Sequence, residues 1–197
     1  MSTDLTRTFV CVEIGAPEQA AIAAMRTWLP DDIRAVRSVV ATNLHITMRF
    51  LGDLSPEHME AVCRATESTA SEFERFEALI GEVGAFPSAR RASTIWAGVT
   101  EGDEVLANIY QRLEEHLSKS GFGSPDKRFR AHVTLARVRP EIGSLDRRRL
   151  ADALTAISST PHRPVPIQVS HLTVMASKLT REGSIYTPIT QANLGWN

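Results

Sequence analysis

Three histidines in this chain are each followed two residues later by a threonine: His45-Ile46-Thr47, His132-Val133-Thr134 and His171-Leu172-Thr173. Histidine is the side chain that gives or takes a proton near neutral pH, and a threonine hydroxyl can donate to an oxygen on which charge gathers. In an extended strand, residues two apart share a face, so each tripeptide offers an imidazole beside a hydroxyl. Two such pairs facing one another suit phosphodiester cleavage. One neutral histidine takes a proton from an attacking water while the other, protonated, donates to the departing sugar oxygen. This chemistry requires no metal, and a cyclic phosphate suits it because ring strain lowers the barrier. No Asp, Glu or Cys stands in ligand-like spacing around His45 or His132, which weighs against a histidine-based metal site. Any one H-x-T match carries little weight; the elements around it decide.

Residues 7–14, RTFVCVEI, have the β-branched and aromatic content of a strand, and Pro17 opens an Ala-rich helix to Leu29. Residues 44–51, LHITMRFL, form the next strand, and Gly52 to Pro56 a turn. Ser55 then caps a helix with Pro56 at its first position, running to about Ala70. Strands are expected at 76–83 and 93–99, separated by a Gly-Pro-Arg loop over 84–91. Over 103–119, Val105, Leu106, Ile109, Leu113 and Leu117 recur at helical spacing, and Gly121 closes that helix. The strand RFRAHVTLARV follows, then a helix over 144–157 and two strands, VPIQVSHLTVMAS and SIYTPITQANL. HITM and HVTL fall at corresponding places in the two halves. The order predicts a duplicated α+β unit, two lobes facing each other across a cleft with no linker between them, within one domain of residues 1–197.

The 197 residues are 43% apolar and 23% charged, as in a folded globular protein. With 22 basic and 23 acidic side chains the net charge is −1, which disfavours a processive duplex binder but permits a small anionic site. The basic residues cluster locally, as in Lys127, Arg128 and Arg130, and in Arg147, Arg148 and Arg149, the latter read as a solvated helix face. No apolar run approaches the roughly 18 residues needed to span a bilayer, and no targeting segment opens the chain, so a cytoplasmic protein is expected. Cys11 and Cys63 lack CxxC spacing and read as buried free thiols. His58, His116 and His162 have no matching partners and read as structural or exposed; Tyr186 either stacks on a base or is simply packed.

The segments NLHITMRFLG and FRAHVTLARV resemble the two signatures of the 2H phosphoesterase superfamily, and in particular its bacterial and archaeal RNA 2′,3′-cyclic phosphodiesterase branch, also called 2′-5′ RNA ligase. The resemblance extends over nearly the whole chain, through RTFVCVEI, GAFPSARRASTIWAGV and VMASKL followed by SIYTPI. It implies a bilobal α+β fold in which two pseudo-two-fold-related lobes of antiparallel sheet, with outer helices, surround a central cleft. The H-x-T-x motifs are then residues 45–48 and 132–135, and the reaction opens a 2′,3′-cyclic RNA end to a 2′-phosphate. The resemblance also implies that His45 is the proton donor and His132 the acceptor, a split the residues alone leave open. Thr47 and Thr134 complete the catalytic set. Phe50 and Arg137 fall at positions used for stacking a base and binding phosphate. An offset of five would aim both away from the histidines in an unbroken strand, so a bulge or the strand's end must redirect them. The family usually has proline where this chain has Ala131.

The expected partner is an RNA end with a 2′,3′-cyclic phosphate, with no cofactor, no metal, no membrane and no obligate protein partner, acting as a monomer. Joining of 2′-phosphate and 5′-hydroxyl ends would be the reverse reaction, since no ATP-binding lysine motif or Gly-rich loop is present to drive it. The rival readings are hydrolysis of a small cyclic nucleotide or a cyclic ADP-ribose phosphate, and a non-catalytic nucleotide-binding module. His171, in the closing segment, is expected to have no catalytic role.

Overall fold

The computed structural model describes residues 5–125, 128–159, 163–181 and 183–195; Lys127 and His162 lie outside them. In chain order the elements are β1 (Thr6–Glu13), α1 (Ala16–Ala24), β2 (Val36–Ser38), β3 (His45–Leu54), α2 (Pro56–Ala70), β4 (Phe76–Phe86), β5 (Thr94–Glu101) and α3 (Asp103–Lys119). Then follow β6 (His132–Val138), α4 (Ser144–Ser158), β7 (Val165–Val169), β8 (His171–Leu179) and β9 (Ser184–Asn193). The strands pair antiparallel in the order β7-β4-β5-β6-β3-β1-β8-β9, with β2 also paired to β6. Two four-strand halves therefore meet at the β3–β6 seam, where Ile46 is opposite Val133. Each of these residues directly follows a motif histidine, so the two H-x-T motifs cross at the centre of the sheet.

The helices form where the sequence places their signals. The Ser55 hydroxyl accepts from the His58 N–H and Pro56 occupies the first turn of α2. In α3, Asp103 and Glu104 stand at the positive end of the helix dipole and His116 and Lys119 at the negative end. Leu106, Ile109, Leu113 and Leu117 form its fully buried stripe, each contributing about 1.5–3 kcal/mol of apolar burial. Gly121, at φ 88°, takes the left-handed conformation that ends the helix. Ile46, Met48, Val133 and Leu135 join Val10 and Val12 of β1 in one core with the apolar faces of the helices. On the opposite face of β1, Phe9 and Cys11 pack with Met175 and half-buried Tyr186.

Several boundaries differ from the sequence expectation. The first helix ends at Ala24 and tightens into a 3-10 turn over Met25–Trp28. β3 does not turn at Gly52, because Leu51 is left unpaired opposite Thr8 and Phe9 and Gly52 takes φ 74° within the strand, which continues to Leu54. β4 likewise reaches Phe86, shortening the expected loop, and β6 begins only at His132. VPIQVSHLTVMAS is two strands broken at Ser170, with β7 and β8 on different halves of the sheet. The three-residue β2 was not anticipated. Cys11 and Cys63 are free thiols, the first buried and the second half-buried. Among the described residues no helix is long and apolar enough to cross a membrane.

Candidate active site

Alternation along β3 sends Ile46 and Met48 into the core and leaves His45 and Thr47 half-buried on the other face. β6 repeats this with Val133 and Leu135 buried and His132 and Thr134 half-buried. Each strand then slips by one residue at the same place. Val10 pairs with Arg49 but Cys11 with Thr47, leaving Met48 as an extra residue; Ile95 pairs with Ala136 but Trp96 with Thr134, leaving Leu135 extra. These two bulges restore Phe50 and Arg137 to the histidine face, as the odd offset requires. Phe50 is exposed, with its ring centroid 5.5 Å from Phe9, which in turn lies 4.9 Å from the His45 ring.

Both imidazoles are oriented by the same device. The His45 Nδ1 lies 2.8 Å from the carbonyl of Asn43, and the His132 Nδ1 2.7 Å from that of Arg130, in each case two residues upstream. A carbonyl can only accept, so each Nδ1 carries the proton and each Nε2 is left to do chemistry. The His45 Nε2 is 3.0 Å from the Thr47 hydroxyl. The floors beneath the rings differ. His45 packs edge-on to Tyr186 at 5.3 Å, above Phe9. His132 packs edge-on to Phe86 at 5.1 Å and against Trp96 at 6.5 Å, with the Arg130 guanidinium 4.2 Å from the Trp96 ring centroid. The Trp96 indole lies across Gly84, where a Cβ would overlap the ring.

Burial is the largest influence on both imidazoles and pushes each below the ordinary histidine value. Positive charge bears on both imidazoles, and a carboxylate also bears on His45. His45 is drawn back up by the carbonyl of Asn43 and the carboxylate of Glu13, against the charges of His132 and Arg137. At His132, the carbonyl of Arg130 pulls upward while the charges of Arg130 and Arg137 push down. Glu13 is the β1 partner of His45. Its Oε2 accepts from Thr173 at 2.6 Å, Gln191 at 2.7 Å and His171 at 3.1 Å. Burial alone would raise this carboxyl; those hydrogen bonds outweigh it and hold it below the usual carboxylate range. An open cavity of about 460 Å³ beside His45 is lined by Phe9, Glu13, Asn43 and Tyr186 among others.

Residues 16–181 match the 2′-5′ RNA ligase superfamily. The chain belongs to it. Among its relatives, the RNA 2′,3′-cyclic phosphodiesterase of Aeropyrum pernix is 34% identical over 77% of this chain and 82% of its own. That of Archaeoglobus fulgidus is 30% identical over 91% and 96%. The crystal structure of E. coli LigT complexed with 3′-AMP superposes with a TM-score of 0.77 at 22% identity, covering 98% of this chain and all of that one, a likeness of fold.

Within this superfamily member the structure brings His45, Thr47, Phe50, His132, Thr134 and Arg137 onto one face of the β3–β6 seam. Ala131, standing where the family usually has proline, is buried, and its carbonyl is 3.5 Å from the Val99 amide. His58 and His116 lie away from this face, the former on the Ser55 hydroxyl and the latter on Glu72. Sequence reasoning missed Glu13, Trp96 and the Gln191 amide. Glu13 reads as a polar strand end until its partners, more than 150 residues distant, are known. Among the described residues no group of three or more His, Cys, Asp or Glu is arranged to hold a metal ion.

Proposed function

We propose that this protein hydrolyses RNA 2′,3′-cyclic phosphodiester ends to 2′-phosphomonoesters, by metal-independent acid–base catalysis with His45 and His132. The observation that carries the reading is the pair of tautomer-locked imidazoles with unlike charged neighbours. The cyclic phosphate lies between the two Nε2 atoms. The Nε2 of neutral His132 takes a proton from water as its oxygen attacks phosphorus, and the protonated Nε2 of His45 donates to O3′ as the P–O3′ bond breaks. Glu13 favours the cationic form at His45, against His132 and Arg137, whereas Arg130 and Arg137 both favour the neutral form at His132. On that difference, and on the family resemblance, His45 is taken as the donor and His132 as the acceptor. Arg137, whose charge reaches both imidazoles, neutralises the phosphate, and Thr47 and Thr134 donate to its non-bridging oxygens. Phe50 offers an exposed ring for a base.

Residues 1–197 work as one bilobal unit, a cytoplasmic monomer that needs no cofactor, with joining of RNA ends a minor reverse reaction. The relatives' names, the superfamily membership and the site geometry support this reading. Its test is incubation of the purified protein with an RNA bearing a 2′,3′-cyclic phosphate, followed by mapping of the product. A 2′-phosphate with a free 3′-hydroxyl is expected. A 3′-phosphate would reverse the leaving group, and an unchanged end would remove the activity.

A further inference from the structure

Arg37 of β2 and Arg137 of β6 are direct partners across the ladder, and both are exposed. Like charges directly opposite on neighbouring strands are destabilising. Among the described residues neither has a carboxylate within ion-pair reach, whereas Arg49, Arg64, Arg112, Arg130 and Arg149 each hold one. Packing does not call for the pair, since Val36 alone of the three β2 residues is buried. On the other side of β6, Arg137 is partnered by Thr94 of β5. Thr94, Arg137 and Arg37 thus form a row across three strands. The bulge at Leu135 puts this row on the face of His132 and Thr134, one alternation, or roughly 6–7 Å, beyond Thr134. That is about the spacing of successive phosphates along an extended polynucleotide.

We infer that Arg37 forms a second anion subsite that takes the first phosphodiester 5′ to the cyclic end, beside Arg137, which serves the cyclic phosphate. The inference rests on the phosphodiesterase reading and deepens it: the preferred substrate is an RNA strand, and a 2′,3′-cyclic mononucleotide with a 5′-hydroxyl leaves this subsite unfilled. From adjacent strands, the Arg37 guanidinium meets the oxygens of that phosphodiester and the Arg137 guanidinium those of the cyclic phosphate, through charge-assisted hydrogen bonds. In the free protein they repel one another, and a bound anion relieves that repulsion.

The test compares a 2′,3′-cyclic mononucleotide with a dinucleotide ending in the same cyclic nucleotide, for the parent, Arg37→Ala and the charge-matched control Arg64→Ala on the outer helix α2. The parent should prefer the dinucleotide. Arg37→Ala should lose roughly 5- to 20-fold in kcat/KM on the dinucleotide alone, and its dependence of log(kcat/KM) on log[salt] should flatten by about 0.7, one phosphate contact on a single strand. Arg64→Ala should match the parent. Equal losses on both substrates would place Arg37 at the reacting phosphate, and no loss on either would remove it from the substrate path; both overturn the subsite. If neither substrate turned over, the phosphodiesterase reading would fail separately. Titration with the dinucleotide ending in a 2′-phosphate would then decide: binding weakened only by Arg37→Ala keeps the subsite, and unchanged binding removes it.

Discussion

Glu13 and His45 face each other as partners across the β1–β3 ladder, and three hydrogen bonds converge on a single oxygen of that carboxylate. A negative charge is therefore fixed beside His45, whereas Glu82, two strands from His132, is paired with Arg130.

The pH dependence follows from these charges. Both histidines lie below their ordinary value, burial being the first cause, and in the proposed mechanism turnover needs the pair to hold one proton. The singly protonated fraction thus peaks on the acid side of an ordinary histidine titration, and kcat/KM should form a bell that declines through neutrality. Glu13 raises His45, so Glu13→Gln lowers it and moves the alkaline limb to lower pH. An alkaline limb that stays put in a folded variant would show that Glu13 does not set the donor.

In the proposed mechanism, removing one imidazole deletes one of two coupled proton transfers. His45→Ala or His132→Ala should each cost on the order of 10²- to 10⁴-fold in kcat, and the double variant little more than the worse single one. A substrate with a better leaving group should rescue His45→Ala and not His132→Ala. His171→Ala should stay within a few-fold of the parent, because Thr173 and Gln191 still hold Glu13. A His171 variant as damaged as His132→Ala, with its circular dichroism intact, would mean that the wrong strands have been paired in the mechanism.

The histidine–threonine pairs were legible because a strand's two-residue alternation is strict and both residue types carry chemistry. Phe50 and Arg137 were legible only through the family resemblance. Their facing depends on bulges at Met48 and Leu135, and an apolar residue displaced by one leaves almost no mark in the sequence. The adjacent buried pair Leu135 and Ala136 is the one visible trace. β2 escaped notice because it has three residues and a single buried side chain, Val36, too short for periodicity. The charge difference between the two histidines arises from strands brought together by the fold, which no local pattern encodes.

Arg137 reaches both imidazoles, while Arg130 lies over Trp96 and Arg139 stands beyond the end of β6. Arg137→Ala should therefore raise KM more than Ala at Arg130 or Arg139, and Arg137→Lys should recover only part of the loss, since lysine lacks the guanidinium fork. Equal effects at all three positions, measured by steady-state kinetics, would indicate a diffuse positive field.

Gly84 is required by the indole that crosses it. In Gly84→Ala the new methyl overlaps the Trp96 ring, so the variant should lose about 1–3 kcal/mol of stability and its Tm should fall by several degrees. An unchanged Tm would show that Trp96 moves freely, and the floor beneath His132 would not be rigid.

Whether the two imidazoles move the protons without a metal ion is tested most directly by the rate of hydrolysis of a 2′,3′-cyclic RNA end in excess EDTA. The rate should equal that of the untreated protein and should not rise when Mg²⁺, Mn²⁺ or Zn²⁺ is added back. Loss of activity on chelation, restored by a divalent ion, would contradict the mechanism.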